Sequence, residues 1–304
     1  MAEKLIENKK IRMHLKPASG FNLNENFTIL RKIISFDIYN NFSSVRNIAI
    51  PLGICLILML ASFHTAGELE YKVKKIVIDP GHGGKDPGTH GDISREKDVA
   101  LDISLKLGKI FEEYLPEVEV IYTRNGDSFP ELAERAELAN KNGADLFLSI
   151  HCNWISNPRV KGTETYVMGV HKNDENLKIA QRENSVILLE DGYQEKYDGF
   201  DPNSPESYIL FNLYQSAFQE SSLKLAHQIE TQFRDRANRR SRGVKSAGFL
   251  VLWQTSMPSV LIETGFLSNT QEERELNDEL YQEYIASAIF RAVRDYKKDL
   301  ESSY

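Results

Sequence analysis

The chain has 304 residues, of which 41% are apolar and 27% charged, a composition typical of a globular protein with one large domain or two small ones. Its formal net charge of −7 argues against a nucleic-acid-binding protein that works through a basic face. Only two cysteines occur, Cys55 and Cys152, which excludes a cysteine-rich zinc site. Cys55 lies in an apolar run, so we expect no structural disulfide between them.

The first 66 residues differ from the rest of the chain in charge and hydropathy. They carry eight Lys or Arg and four Asp or Glu, whereas residues 67–304 carry 29 and 40, a net charge of −11. Residues 48–63 are an uncharged apolar run of sixteen residues, with Arg46 before it and small residues after it. This order is typical of a secretory signal, although a retained membrane anchor also fits. We expect an N-terminal extension over 1–47, a signal peptide or anchor over 48–66, and an exported protein of the periplasm or cell envelope.

From residue 72 onward, short apolar runs alternate with helical patterns, which favours one α/β domain with a largely parallel sheet. The first strand, at residues 74–79, leads into a glycine-rich loop that contains His82. Apolar residues at helical spacing then predict a helix that begins near Arg95 and places Glu96 in its first turn. A carboxylate at that position often only stabilises the positive end of the helix, so Glu96 alone is not diagnostic.

Two further strands follow, at residues 118–124 and 146–150, with a helix over 132–139 between them. The later strand ends directly at His151. The carboxyl ends of parallel strands meet at one edge of a sheet, so His151 is expected near the histidine of the first loop. A lone histidine there is more often a hydrogen-bonding residue, but two histidines and a carboxylate together indicate metal ligands.

The segment 171–216 follows a strand at residues 163–168 and lacks strong periodicity. It is rich in acidic residues and turn signals, which is typical of a functional or mobile segment. Helical spacing returns over residues 223–233 and is followed by a basic run, 234–245. We interpret that run as a solvated helix end, with contact to an anionic substrate as the alternative.

Two strands, at residues 249–252 and 260–262, are predicted to complete the sheet before a last helix over 281–296. Glu263 closes the second strand, where a carboxylate is costly to bury without a partner or a task. It could also simply reach solvent beyond the strand end. Beside a metal with an open position for water, Glu263 could move a proton from that water to a leaving nitrogen in the hydrolysis of an amide.

Seven stretches of the sequence, in order along residues 74–296, resemble the Amidase_3 family of zinc-dependent N-acetylmuramoyl-L-alanine amidases. They are IDPGHGGKDPG (78–88), REKDVAL (95–101), TRNGD (123–127), SIHCN (149–153), KGTETYV (161–167), RGVKSAGFLVL (242–252) and PSVLIETGFLSN (258–269). The resemblance implies an α/β catalytic domain over 72–304, with a twisted, mostly parallel six-stranded sheet flanked by helices.

The resemblance also implies the chemistry of the site. The implied substrate is peptidoglycan, cut between N-acetylmuramic acid and L-alanine during cell-wall remodelling or daughter-cell separation. The implied cofactor is Zn²⁺, bound by His82, Glu96 and His151, and the implied catalytic carboxylate is Glu263. No ligand position of the family is substituted in this chain.

The resemblance raises the possibility of regulation by residues 171–216. In some members of the family an inserted helix covers the zinc and contributes a blocking glutamate until an activator protein removes it. Residues 171–216 lie where such an insert would occur, so we expect a regulatory insert in which Glu183, Glu190 or Glu195 blocks the metal. The alternative is an unrelated surface excursion.

Two other functions compete with the amidase. A zinc peptidase or carboxypeptidase on a similar sheet would use the same chemistry, and only the family resemblance argues against it. A cell-wall-binding or activator protein without catalysis would be expected to lack at least one metal ligand, and all are present. Nucleic acid is not an expected partner, and membrane contact is expected only through residues 48–66 if they are retained.

Overall fold

The computed structural model describes residues 72–211 and 217–302. The described residues belong to one compact unit that spans 69–304. None of the described helices is long and apolar enough to span a bilayer. The predicted extension, 1–47, and the predicted signal or anchor, 48–66, lie outside the described residues.

The described residues form six strands and nine α-helices. The strands are β1 (Lys75–Pro80), β2 (Glu119–Tyr122), β3 (Leu146–Asn153), β4 (Thr163–Met168), β5 (Ser241–Ala247) and β6 (Ser259–Phe266). The helices are α1 (Glu96–Tyr114), α2 (Leu132–Lys141), α3 (Asp174–Asn184), α4 (Tyr193–Lys196), α5 (Ser207–Phe211), α6 (Gln219–Arg236), α7 (Leu250–Trp253), α8 (Thr270–Leu276) and α9 (Glu279–Glu301). A 3-10 turn, Ser185–Leu189, continues α3.

The strands form one sheet in the order β2-β1-β3-β6-β4-β5. All neighbouring strands are parallel except β4 and β6, which are antiparallel. The prediction of a mostly parallel six-stranded sheet flanked by helices is therefore confirmed. The carboxyl ends of β1, β3 and β6 meet at one edge, and the antiparallel pairing brings the amino end of β4 to the same edge.

Two apolar cores, one on each face of the sheet, fix this arrangement. On one face α1, α6 and α9 pack through fully buried side chains such as Phe111, Phe233 and Ile289. The other face is covered by α2, α3 and α7, which pack on Phe147 and Leu261. Each such side chain contributes roughly 1.5–3 kcal/mol of burial, and both faces are needed because the central strands are apolar on both sides.

The end of the sheet differs from its prediction. Residues 249–252, predicted as a strand, lie at a single helical turn, α7, and the edge strand is β5. A short apolar run does not distinguish a strand from a buried helical turn by periodicity. β5 is polar because it is an edge strand and most of its residues are partly exposed. The interpretation of 234–245 as one solvated helix end is therefore wrong, since α6 ends at Arg236 and β5 begins five residues later.

A buried ion pair joins α2 to the site edge of the sheet. Arg135 is 2% exposed and donates a hydrogen bond from Nη1 to Asp79 Oδ1 at 2.8 Å. The hydroxyls of Thr123, just after β2, and Ser149, within β3, donate to the same carboxylate. Burial alone would raise the pKa of Asp79, but Arg135 and the two hydroxyls hold that pKa below its ordinary value. The pair therefore ties three neighbouring strands and one helix together.

Replacing Arg135 by methionine should destabilise the metal-free protein by roughly 3–5 kcal/mol, because it leaves the Asp79 carboxylate buried without its cation. Lys141→Met on the same helix removes an exposed ion pair with Glu137 and should change the free energy of unfolding by less than about 0.5 kcal/mol. Urea unfolding of both variants checks this. Equal unfolding midpoints would show that the buried pair does not stabilise the fold.

Candidate active site

His82 lies in the loop after β1 in a backbone conformation that few residues other than glycine adopt, with φ of 59°. Four arginine hydrogen bonds hold this loop. Arg135 donates to the carbonyls of His82 and Pro80, each at 2.9 Å, and Arg124 donates to the carbonyls of Pro80 and Gly81. They offset the strain of the positive φ by fixing the loop backbone from two buried guanidinium groups.

The His82 ring is oriented by Asp86, whose Oδ2 lies 2.6 Å from Nδ1. This contact turns the other ring nitrogen, Nε2, towards the carboxylate of Glu96. The chain then crosses close to both side chains at Gly88, where φ is +66° and a Cβ would lie 2.5 Å from His82 Cδ2 and 2.8 Å from Glu96 Oε2. Only glycine fits at this crossing.

Glu96 occupies the first turn of α1, as the sequence predicts, and its side chain is fully buried. Its Oε1 lies 2.9 Å from His151 Nδ1, and its Oε2 lies 3.1 Å from His82 Nε2. Burial would raise the pKa of this carboxyl, but the two imidazoles hold that pKa well below its ordinary value. Glu96 therefore does more than stabilise the end of a helix: it joins the two histidines.

His151, near the end of β3, completes this arrangement. Its ring lies edge-on to that of His82, with 4.8 Å between the ring centroids. Burial disfavours a charged imidazole, yet the neighbouring carboxylates of Glu183 and Glu96 raise the pKa of His151 to about 9. The same balance of burial and carboxylates raises the pKa of His82 well above its ordinary value. The structure thus brings together the three ligands predicted from the sequence.

A fourth side chain in the cluster comes from the segment 171–216. Glu183, in the last turn of α3, places Oε2 3.1 Å from His82 Nε2 and 3.3 Å from His151 Nδ1. Of the other two blocking candidates, Glu190 accepts hydrogen bonds from Leu132 N and Tyr197 Oη, and Glu195 is exposed on α4. Glu183 is the one of the three that reaches the histidines.

The four side chains fit a metal ion. One ligand atom from each of His82, Glu96, His151 and Glu183 lies within 4.8 Å of the others. Bonds of about 2.0–2.1 Å to a tetrahedral ion would place ligand atoms about 3.4 Å apart. Both His82 Nε2 and Glu183 Oε2 are buried and have no hydrogen-bond partner among the described residues. Glu96 Oε1 and His151 Nδ1 are hydrogen-bonded, whereas the other two donor atoms converge on the same point without a partner, as expected of metal ligands.

Glu263 lies next to this cluster on β6, directly opposite His151 in the sheet register. Glu263 is fully buried, so the alternative that its carboxylate reaches solvent beyond the strand end is wrong. Neither carboxylate oxygen has a hydrogen-bond partner among the described residues. Burial first, and then the negative charges of Glu183 and Glu96, raise the pKa of Glu263 well above its ordinary value. A carboxyl in this state binds a proton more readily than an ordinary glutamate does.

A cavity of about 520 Å³ opens onto the cluster beside α3 and the 3-10 turn. Its lining includes His82, Glu183 and the apolar side chains of Trp154, Leu188 and Leu189. The last three are between 41% and 45% exposed. The segment 171–216 therefore forms one wall of the approach to the site.

Several site residues escaped prediction. Asp86 follows His82 by four residues within a quoted stretch, but its role depends on how the loop folds. Arg124 lies in the TRNGD stretch, and Arg135 follows the first apolar residue of α2 by three positions, as a buried face requires. An arginine at a position that the helical pattern buries indicates a buried hydrogen-bonding role. The sequence alone does not say which carbonyl groups it would bind.

Known proteins give the same fold and sequence pattern. A family model described as N-acetylmuramoyl-L-alanine amidase matches residues 76–295. N-acetylmuramoyl-L-alanine amidase AmiA of Escherichia coli is 34% identical over 239 residues, which are 76% of this chain and 80% of the relative. A solved N-acetylmuramoyl-L-alanine amidase from Clostridium difficile 630 gives a TM-score of 0.55 at 28% identity, covering 74% of this chain and 97% of the other.

A second solved structure adds a partner protein. The CwlD amidase from Clostridioides difficile, in complex with the GerS lipoprotein, gives a TM-score of 0.54 at 28% identity. The similarity covers 74% of this chain and 99% of the other.

The raised histidine pKa values predict how the stability of the metal-free protein depends on pH. The charged His151 ring stabilises the fold fully below its unfolded pKa of about 6.5, and this stabilisation is lost as pH rises through its folded pKa of about 9. Glu183→Gln removes one of the carboxylates responsible, so its loss of stability should be smaller and occur at lower pH. Urea unfolding with chelator at pH 6–9 checks this; parallel curves for the two proteins would contradict it.

Proposed function

The chain belongs to the N-acetylmuramoyl-L-alanine amidase family, and we propose that it performs the family's reaction with a metal held by His82, Glu96 and His151 and with Glu263 as the proton carrier. The enzyme is a peptidoglycan hydrolase that cleaves the amide between N-acetylmuramic acid and L-alanine, and so acts in cell-wall remodelling. The proposal concerns which residues carry the chemistry, which metal they hold and how access is controlled.

Two imidazoles and one carboxylate favour zinc among the common catalytic metals. A zinc ion held by this set supplies a Lewis acid for the amide carbonyl and a nucleophile from water at neutral pH. Asp86 fixes the ring of His82 so that Nε2 faces the site. The two carboxylate oxygens of Glu96 lie between the histidines and are held there by hydrogen bonds from the backbone N–H groups of Thr89 and Cys152.

The observation that carries the proposal is the state of Glu263. It is fully buried, lies opposite His151, and has a pKa raised well above its ordinary value. A group with these properties can accept a proton from water and deliver it to the amine nitrogen of L-alanine as the carbon–nitrogen bond breaks. The reaction consumes one water molecule and yields the lactyl carboxylic acid and the free amine of the stem peptide.

The competing functions are less well supported. A zinc peptidase would use the same four residues, and family membership is what favours the muramoyl amide over a peptide bond. A non-catalytic wall-binding protein would have no use for a buried carboxyl with a raised pKa beside two histidines. All four residues are present and converge at one edge of the sheet.

We further propose that the segment 171–216 is a regulatory insert and that Glu183 blocks the site as an additional ligand. Glu183 approaches both histidines and occupies the side where water and substrate would enter. Arg182 supports this position, since Nη1 donates to the carbonyl of Trp154 at 2.7 Å. The complex of the CwlD amidase with a lipoprotein supports a protein activator for this chain, one that moves α3 away.

The proposed domain organisation has an extension over 1–47, a signal peptide or anchor over 48–66 and the catalytic domain over 72–304. The physical reason for export is that peptidoglycan lies outside the cytoplasmic membrane. Sequencing the amino terminus of the exported protein distinguishes a cleaved signal from a retained anchor.

Glu263→Gln should lower the rate of amide cleavage by about 10²- to 10⁴-fold, because glutamine fills the same space but cannot accept or donate the transferred proton. Zinc content, measured by atomic emission, should remain at the unaltered level. Release of dye-labelled peptidoglycan and of new alanine amines measures the activity.

Glu279→Gln, an exposed carboxylate at the start of α9, is the matched control and should retain full activity. Equal rates for Glu263→Gln and the unaltered enzyme would remove Glu263 from the mechanism. Loss of zinc together with activity in Glu263→Gln would instead make Glu263 a ligand.

Glu183→Gln should raise the basal rate roughly tenfold or more, since the amide lacks the charge that holds the fourth position on the metal. Glu190→Gln and Glu195→Gln test the other two candidates and should leave the basal rate unchanged. The measurement is cell-wall release by each full-length protein without added partner. A basal rate for Glu183→Gln no higher than that of the unaltered protein would reject the blocking role.

A further inference from the structure

On the face of the sheet that α3 covers, a row of polar residues crosses four neighbouring strands. His151 on β3 is opposite Glu263 on β6, and Glu263 is opposite Glu164 on β4. Residues directly opposite each other in a sheet project to the same face. The next strand, β5, contributes Arg242, whose Nε contacts Glu164 Oε1 at 2.5 Å. The row therefore leads from the metal cluster, past the catalytic carboxyl, to an arginine.

A bulge between β4 and β5 accompanies the last step of this row. Thr163 pairs with Ser241 and Thr165 with Val244, so β5 has one extra residue. Gly243 lies in this extra stretch with φ of +86°. Bulges of this kind commonly re-aim a neighbouring side chain near active sites. Here the side chain beside the bulge is Arg242, and it reaches Glu164.

The end of the row carries an excess of positive charge. Glu164 is fully buried and its Oε1 receives both Arg242 and Lys245, each at 2.5 Å. Its Oε2 accepts from Tyr166 and Asn153. Burial would raise the pKa of Glu164, but Lys245 and Arg242 hold that pKa below its ordinary value. One carboxylate is thus matched to two cations, which are 22% and 15% exposed in their side chains.

The additional negative charge comes from α3. Glu175, in the first turn of that helix, places Oε1 3.1 Å from Arg242 Nη2. Glu183 lies in the last turn of the same helix, eight residues further, or about 12 Å along its axis. The helix therefore lays one carboxylate on the metal cluster and another on the basic end of the row. If α3 moves away, Arg242 and Lys245 lose the charge that balances them.

We propose that Arg242 and Lys245 form a subsite for the first free carboxylate of the stem peptide, and that Glu175 occupies this subsite as a substrate mimic in the closed form. This inference rests on the proposed function, including the displacement of α3. In peptidoglycan the residue after L-alanine is a glutamate joined through its side-chain carboxyl, so its α-carboxylate is the first free acid on the leaving side. Some stem peptides carry an amide there instead.

The distances agree with this assignment. Two strand spacings of about 4.8 Å separate Glu263 from β5, or roughly 10 Å across the sheet. In an extended peptide the glutamate α-carboxylate lies about two residues, or roughly 7 Å, from the scissile carbonyl. The Arg242 side chain extends from β5 back to Glu164 on the neighbouring strand. Its guanidinium therefore lies nearer to Glu263 than β5 does, which accounts for the difference between the two distances. Arginine is suited to this role because its planar fork binds a carboxylate through two parallel hydrogen bonds.

A matched pair of substrates tests the subsite: N-acetylmuramoyl-L-alanyl-D-isoglutamate and the same compound with the α-carboxylate amidated. In a Glu183→Gln background the enzyme should cleave the acid with a kcat/KM roughly tenfold or more above that of the amide. Arg242→Gln should lower kcat/KM for the acid by about that factor and leave the amide nearly unchanged, so the preference disappears. Arg242→Lys should keep part of the preference.

Arg240→Gln is the control, since it removes the same charge from an exposed position two residues away and should keep the preference intact. Glu175→Gln in the otherwise unaltered protein removes the negative charge that α3 places on the subsite and leaves Arg242 and Lys245 unchanged. It should raise the basal rate and retain the preference for the acid, so the inference remains testable if Arg242→Gln does not fold.

Three outcomes overturn the subsite. Equal cleavage of the two substrates by the open enzyme would show that no carboxylate is recognised, while leaving the amidase function in place. An equal fall for both substrates in Arg242→Gln would show that Arg242 supports the fold of the site without reading the substrate. Absence of cleavage of either substrate by all of the proteins would remove the proposed function and the subsite with it.

Discussion

The structure depends on a set of buried charges, each of which is stable only because its neighbours carry the opposite charge. Glu96 is completely buried, and the two imidazoles that flank it are what keep its carboxylate ionised. Each imidazole is in turn kept charged, in the metal-free state, by carboxylates a few ångströms away. This mutual dependence fixes α1 against the ends of β1 and β3. A metal ion would take over the same role as the shared positive charge.

Much of the fold and of the site could be predicted because the informative residues lie at strand ends. His151 and Glu263 each follow an apolar run in the sequence, and β3 and β6, which continue past them, are parallel neighbours that place the two residues opposite each other. The error at residues 249–252 arose because four apolar residues fit a strand and a helical turn equally well, while the real edge strand is polar and basic. The sequence narrowed the candidates for the blocking glutamate to three. It could not select Glu183, because only the packing of α3 decides which of the three meets the histidines.

The site has a fixed part and a part that can move away with α3. His82, Glu96, His151 and Glu263 come from the sheet and α1, and buried guanidinium groups hold the loop that carries the first of them. Glu183 and Glu175 both come from α3, which reaches the histidines through the first and Arg242 through the second, and which also packs Ile179 and Ala180 into the core. Moving α3 would therefore uncover the catalytic residues and the basic end of the row in one event, without rebuilding either.

Glu183 also bears on how such an enzyme would keep its metal. Four protein donors are typical of structural zinc sites, which retain their ion, whereas three donors and an open position are typical of catalytic zinc. With Glu183 in place, the idle enzyme would hold its metal through four protein ligands, as a structural site does. On opening, it would keep three ligands and gain the open position of a catalytic site. Loading and use of the ion are then separated in time. A chain that receives zinc once could hold it through a long dormant period, and its risk of losing it would begin only with activity.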